Sequence, residues 1–116
     1  VLLNSDPRLL EQVFVNFLTN AIHAILEKKE GEKRIEIRTL KTNSEIEISF
    51  IDSGVGIPEE DQGKIFDLFY STKPPGKGTG LGLPICQNIV RNLEGEITFE
   101  SKVGVGSTFT VRLPIS

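Results

Sequence analysis

Between residues 9 and 26 the apolar side chains recur at steps of three and four positions, which is the repeat of an amphipathic α-helix. The stripe consists of Leu9, Leu10, Val13, Phe14, Phe17, Leu18, Ala21, Ile22 and Ile25. Asp6 and Pro7 suit the N-cap and the first helical position. A stripe this broad must be covered by a second layer, so the chain needs a partner element for this helix.

That second layer is predicted by four segments in which apolar and polar residues alternate, namely residues 34–40, 45–51, 96–100 and 107–113. Their apolar positions are Ile35, Ile37, Ile46, Ile48, Phe50, Ile97, Phe99, Phe109, Val111 and Leu113. Alternation indicates strands with one covered face and one wet face. A second amphipathic helix over residues 83–93 completes an α/β two-layer sandwich, in which helices cover one face of a mixed, mostly antiparallel sheet.

Composition limits the class of protein. The 116 residues fit one domain, residues 1–116. The net charge is −3 with dispersed lysines and arginines, which argues against nucleic acid or an anionic membrane as the main partner. The one cysteine, Cys86, allows no internal disulfide and suits a reducing cytoplasm. Apolar runs are far shorter than a membrane helix needs. Because Met is absent, we expect a fragment of a longer protein, and we expect this fragment to be monomeric.

A glycine-rich stretch, Gly78-Thr79-Gly80-Leu81-Gly82, stands directly before the second predicted helix. Glycines let the backbone approach a phosphate closely, and a helix N-terminus offers free N–H groups and partial positive charge. The alternative is a flexible linker. The stretch is not a Walker loop, because no Gly-Lys-Ser/Thr follows at the required spacing.

Asp52 ends a predicted strand and enters a turn with two glycines, Gly54 and Gly56. A buried carboxylate there would accept a hydrogen bond from an exocyclic amine such as adenine N6. The alternative is an ordinary turn aspartate.

Asn16 and Asn20 are four residues apart and therefore neighbours on one helix face. Their amide oxygens suit Mg²⁺, a cation that takes hard oxygen ligands and retains phosphate partners. The alternative is a solvated polar face. His23 fits a residue lining a pocket or the surface better than a phosphoacceptor, and Cys86 fits a small apolar residue of the second helix.

In combination these segments resemble the ATP-binding domain of sensor histidine kinases. Residues 16–21 resemble the N box, 52–57 the G1 box, 64–70 the F box, 78–83 the G2 box and 104–109 the last glycine motif. The wider superfamily includes gyrase, heat-shock chaperones and mismatch-repair ATPases. Its Bergerat-type fold, a mixed sheet backed by helices, agrees with the sandwich predicted above.

The resemblance implies a role for each matching residue. Asp52 would bind adenine N6, while Gly54, Gly56 and Ile57 would line the base. Thr108 would help to hold a water between Asp52 and the base.

The resemblance also assigns the metal, the phosphates and the lid. Asn16 and Asn20 would orient Mg²⁺ and the triphosphate and take part in catalysis. The glycines of residues 78–82 would form the hinge of an ATP lid that spans about residues 66–82. Phe66 and Phe69 would anchor the other end of this lid.

Two departures concern the cations at the phosphates. Many family members carry Lys or Arg where His23 stands, and a neutral imidazole contributes less positive charge. Many also carry Arg at the position of Ser71. Lys73 is the first candidate to replace that arginine as a catalytic cation, and Lys77 is the second.

The function implied is transfer of the γ-phosphoryl group of Mg²⁺–ATP to a histidine on a separate dimerisation domain of the same protein, and from there to the receiver domain of a response regulator. The isolated domain should bind nucleotide without phosphorylating itself. A cytoplasmic location follows, with the parent protein anchored in the inner membrane as one option. The alternatives are a non-catalytic nucleotide sensor and a serine kinase of the anti-sigma type.

Overall fold

The computed structural model describes residues 7–67 and 82–115. The elements are helix α1 (Pro7–Glu27), strand β1 (Ile35–Lys41), strand β2 (Glu45–Asp52), a 3-10 helix (Glu59–Lys64), helix α2 (Gly82–Asn92), strand β3 (Glu96–Lys102) and strand β4 (Gly106–Pro114). Each predicted helix and strand is present, with ends that move by at most two residues. The proposed N-cap Asp6 lies outside the described residues.

The four strands form one sheet in the order β1-β2-β4-β3. All three pairings among these strands are antiparallel. Helices α1 and α2 lie against each other on one face of this sheet. The predicted two-layer α/β sandwich is therefore confirmed.

The core lies between α1, α2 and the two central strands. Phe17 of α1 stacks on Phe50 of β2 with ring centroids 5.2 Å apart, and it meets Phe109 of β4 at 5.4 Å. Val90 of α2 and Val111 of β4 are also fully buried. These contacts follow from the predicted periodicities, because the helical stripe and the alternate strand positions meet on the same side of the sheet.

Strand β1 departs from the expected pattern. Ile35 and Ile37 pair with Asp52 and Phe50, so they lie on the side of the sheet that carries the helices. They nevertheless remain 36% and 45% exposed. The reason is that α1 packs on β2 and β4, while β1 lies at the edge of the described sheet. Alternation predicted the correct side of the strand, but not the extent of the helical cover.

Helix α1 is longer and more apolar than we expected of any segment, since the apolar runs in the sequence are too short for a membrane helix. By length and composition alone, its 21 residues would suffice to cross a membrane. Core helices of soluble domains pass the same test. Here Val13, Phe17 and Ala21 of α1 are buried in the protein core.

Helix α2 ends in a Schellman turn. The N–H of Gly95 donates to the carbonyl of Val90, and the N–H of Glu94 donates to the carbonyl of Arg91. Glu94 therefore takes the left-handed conformation, with φ 64°, that glycine usually supplies. Gly95 is needed for a different reason: a Cβ there would lie 2.2 Å from the carbonyl oxygen of Arg112 on β4.

We expect Glu94→Gly to raise the free energy of unfolding by about 1 kcal/mol, because it removes the steric cost of the left-handed conformation. Chemical denaturation of the two proteins measures this difference. Asn92→Gly, two residues earlier inside the helix, is the matched control and should be destabilising. A lower stability for Glu94→Gly would contradict the assigned turn.

Candidate functional site

Asp52 is the buried carboxylate at the centre of the candidate site. It is the last residue of β2 and is only 7% exposed. Its side chain accepts a hydrogen bond from the N–H of Gly54 at 2.9 Å. The backbone N–H of Ser107, its partner residue on β4, also favours the ionised carboxylate. The hydrogen bond from Gly54 leaves the carboxylate with acceptor capacity for a ligand.

The turn that follows Asp52 packs directly on the C-terminal part of α1. A Cβ at Gly54 would lie 2.6 Å from the backbone of Ala24. The N–H of Val55 donates to the carbonyl of Ala24 at 3.2 Å. Gly54 therefore permits a backbone contact that joins the turn carrying Asp52 to the helix carrying Asn20 and His23.

Two more glycines bring the same turn against the β3–β4 hairpin. Gly56 has φ 77°, and a Cβ there would lie 2.3 Å from the carbonyl oxygen of Lys102. Gly106 has φ 140°, and its Cβ would lie 2.0 Å from the carbonyl oxygen of Asp52. These positions need glycine because of both backbone conformation and space.

Ser101 and Ser107 are site residues that the sequence did not indicate. Their hydroxyls are 2.7 Å apart, and the Ser101 hydroxyl accepts a hydrogen bond from the N–H of Ile57 at 2.8 Å. Ser107 is buried and faces the same side of the sheet as Asp52, its pairing partner. The signal that could have found Ser107 is strand parity, once the two strands are aligned.

The strand register bears on the expected role of Thr108, which stays a prediction. Thr108 pairs with Ile51, so its side chain lies on the sheet face opposite that of Asp52. Thr108 and Asp52 nevertheless both line one groove of about 450 Å³, together with Ser107. Because side chains alternate along a strand, Ser107 is the residue that shares the face of Asp52.

The polar face of α1 carries the three other predicted residues. Asn16, Asn20 and His23 follow one another at helical spacing, and each is partly buried. A hydrogen bond links the Asn16 side chain to the thiol of Cys86 on α2, and burial raises the pKa of this thiol to about 11. Cys86 is therefore an inert core residue, as expected. Within the described part of the chain, Nδ1 of His23 is buried without a hydrogen-bond partner.

Ile57 ends the glycine turn that follows Asp52, and Phe66 lies just after the 3-10 helix. Gln62 of the 3-10 helix donates to the carbonyls of Ile57 and Ser101, at 3.1 and 3.3 Å. Phe66 packs at a tilt on Phe99 of β3, with ring centroids 6.1 Å apart. These contacts tie the described part of the F box to the sheet.

The remaining predicted residues belong to the lid. Phe69, Lys73, Lys77, Gly78, Thr79, Gly80 and Leu81 lie outside the described residues, and Gly82 is described only as the first residue of α2. Their roles remain predictions.

Burial dominates the electrostatics of Asp52. Loss of solvation raises the pKa of its carboxyl, while the N–H groups of Gly54 and Ser107 and the positive charge of Lys28 lower it in part. An ionised carboxylate is therefore held here at a cost to stability. Perturbed and buried carboxyls of this kind are typical of binding sites.

The fold is a two-layer sandwich with a buried carboxylate at the end of β2 and two asparagines on α1. This combination agrees with the ATP-binding domain that the sequence resembles. The family described as histidine kinase-, DNA gyrase B- and HSP90-like ATPase matches residues 5–116, and the chain belongs to this family.

Curated relatives are sensor kinases. The chain is 46% identical over 114 residues to sporulation kinase C of Bacillus subtilis, covering 98% of this chain and 25% of that protein. It is 43% identical over 115 residues to the signal transduction histidine-protein kinase AtoS of Escherichia coli, covering 98% and 18%. The chain thus spans a quarter or less of the length of these two relatives.

Solved structures of histidine kinases have a similar fold. The catalytic domain of histidine kinase ThkA, in a nucleotide-free form, superposes with a TM-score of 0.78 at 34% identity, over 95% of this chain and 69% of that one. The mycobacterial sensor histidine kinase MprB gives a TM-score of 0.78 at 25% identity, over 95% and 72%. The chain is therefore similar in sequence and in fold to domains of histidine kinases.

Proposed function

We propose that this domain binds Mg²⁺–ATP and donates its γ-phosphoryl group to a histidine on a separate dimerisation domain of the same protein. From that histidine the group would pass to an aspartate on the receiver domain of a response regulator. The observation that carries the proposal is the buried Asp52 carboxylate, held at a strand end beside a glycine turn that contacts the Asn20 helix. The domain would act in the cytoplasm.

The base would be selected by Asp52. Its carboxylate is an acceptor, which suits the exocyclic amine of adenine, whereas guanine presents a carbonyl oxygen at the corresponding position. Ser107, buried beside Asp52, would hold a bridging water in place of Thr108. Gly54, Gly56 and Ile57 would line the base through their backbone.

The triphosphate would lie along the polar face of α1. Asn16 and Asn20 fit Mg²⁺ in their donor type, because amide oxygens are hard ligands and both residues are only partly buried. When bound, Mg²⁺ would neutralise charge on the phosphates. His23, Lys73 and Lys77 are the candidate cations, and residues 78–82 would close over the phosphates.

The side chains of α1 favour transfer of the γ-phosphoryl group over hydrolysis of ATP. Hydrolysis needs a general base to activate water, and an amide such as Asn16 cannot accept a proton. Phosphoryl transfer depends mainly on positioning and on stabilising charge, which this site is suited to provide. Because the acceptor histidine would lie on a separate domain, the isolated domain should bind ATP without phosphorylating itself.

One observation favours a second candidate, a nucleotide sensor without catalysis. His23 replaces the lysine or arginine of many relatives, and within the described residues its buried Nδ1 has no partner. Fusing the domain to an acceptor-helix domain and assaying acid-labile phosphate separates the two functions. Acid-labile label on the acceptor histidine supports the kinase. No label supports the sensor, acid-stable label on a serine supports the anti-sigma type of kinase, and stable label on His23 contradicts all three.

The metal role of Asn20 gives a direct prediction. Asn20→Ala should weaken ATP binding about tenfold when Mg²⁺ is present, and much less in its absence, because one ligand of the metal is lost. Calorimetry with and without Mg²⁺ measures both values. Thr19→Ala, an exposed neighbour on α1, is the matched control. Equal losses with and without the metal would remove Asn20 from the metal site.

A further inference from the structure

Lys28 is the residue that follows α1, and its ammonium group contacts backbone carbonyls beside Asp52. Its Nζ donates to the carbonyl of Ser53 at 2.6 Å and to the carbonyl of Glu32 at 3.2 Å. Ser53 is the residue that follows Asp52 in the turn. A lysine on a polar connector is ordinarily solvated, but Lys28 is only partly exposed.

The connector between α1 and β1 folds around this ammonium group. The Ser53 hydroxyl donates to the same Glu32 carbonyl at 2.9 Å, and it accepts a hydrogen bond from the N–H of Arg34 at 2.6 Å. Gly31, with φ 96°, passes so close that a Cβ there would lie 3.3 Å from Cε of Lys28. Lys28, Glu32 and Ser53 thus form a closed triangle of hydrogen bonds.

We propose that Lys28 is a positioning residue for nucleotide binding: its ammonium group, bonded to the carbonyls of Ser53 and Glu32, fixes the turn that presents Asp52 to the ligand. This proposal rests on the proposed function. Lys28 need not touch the nucleotide, because it would act through Asp52.

The charge of Lys28 supports this role. It favours the ionised form of Asp52 and so opposes the effect of burial, which raises the pKa of that carboxyl. Four other charged residues line the groove behind Asp52, namely Glu32, Arg34, Glu100 and Lys102. They carry two charges of each sign. Of these residues and Lys28, only Lys28 is bonded to the turn through its charged group.

A double-mutant cycle with calorimetry tests the proposal. Lys28→Met removes both hydrogen bonds of the ammonium group and should weaken ATP binding about fivefold, less than the loss of a direct charged contact, because Lys28 acts only through the turn. Lys28→Arg should retain most of the affinity. Lys29→Met, an exposed neighbouring lysine, is the matched control and should change nothing. In an Asp52→Asn background, Lys28→Met should cost less than twofold, because the residue through which Lys28 acts is gone.

An equal loss in both backgrounds, or none in either, would overturn the proposal. If Lys28→Met does not fold, Lys28→Gln takes its place in the same cycle.

A second readout needs no nucleotide. The carboxyl carbon of Asp52 can be followed by NMR as the pH is varied, and in Lys28→Met its titration midpoint should move to higher pH. An unchanged midpoint contradicts the proposal. A wild-type domain that binds no ATP contradicts the proposed function, and this titration then still shows whether Lys28 acts on Asp52.

Discussion

Replacing Asp52 with asparagine is expected to weaken ATP binding by about tenfold to a hundredfold. A hydrogen bond to a charged acceptor contributes about 1.5–3 kcal/mol, and the variant presents a neutral amide to the adenine amine. Calorimetry on the wild-type and variant domains measures the change. Asp61→Asn, on the 3-10 helix, removes the same charge outside the site and should leave the affinity unchanged.

The same variant should not lose stability. Burial raises the pKa of Asp52 in the folded protein, so the ionised carboxylate opposes folding at pH values above that pKa. This penalty decreases as the pH falls through the raised pKa, and it is absent below the ordinary pKa of an aspartate, where the carboxyl is protonated in both the folded and the unfolded state. Asp52→Asn removes the penalty, so its stability at pH 7 should equal or exceed that of the wild type. Unchanged ATP affinity in a folded variant would contradict the adenine assignment.

Replacing Gly106 with alanine should have the largest effect on folding. The added Cβ would overlap the carbonyl oxygen of Asp52, 2.0 Å away, and φ 140° is unfavourable for any other residue. We expect the free energy of unfolding to fall by about 3 kcal/mol or more. Where the protein remains folded, ATP binding should also weaken, because the overlap separates Ser107 from Asp52.

Gly104 in the same turn is the matched control. It also has a positive φ, 83°, but a Cβ there would meet no atom within 4 Å. Gly104→Ala should therefore cost only about 1 kcal/mol, the steric cost of the backbone conformation alone. Urea denaturation compares the two variants. Equal losses of stability in Gly106→Ala and Gly104→Ala would mean that the overlap with the Asp52 carbonyl does not destabilise the protein.

Much of this fold follows from local sequence patterns. The helical stripe that includes Phe17 and the alternation that includes Phe50 and Phe109 predict both layers and their contact. The position of Asp52, where an alternating segment meets a glycine turn, made it a candidate, and the resemblance to a known family implied its role. Such features are local, so one sequence suffices to find them.

Features that depend on pairing between distant segments were not predictable in the same way. Ser107 and Thr108 are adjacent and chemically similar, and only the register with β2 decides which one lies beside Asp52. The exposure of Ile35 and Ile37 depends on which strands the helices cover. Both are tertiary properties.

Lys28 is a third such case. In the sequence it belongs to a charged connector, and nothing in its spacing distinguishes it from Lys29. Its role depends on a contact with Ser53, which is 25 residues away along the chain. Charged side chains that bond distant backbone carbonyls leave no periodic signal.

The most direct test of the account is a structure of this domain with Mg²⁺ and a non-hydrolysable ATP analogue. The account predicts that the adenine amine lies within hydrogen-bonding distance of the Asp52 carboxylate and that the phosphates lie beside Asn16 and Asn20. A base bound elsewhere, with Asp52 facing no part of the nucleotide, would contradict it.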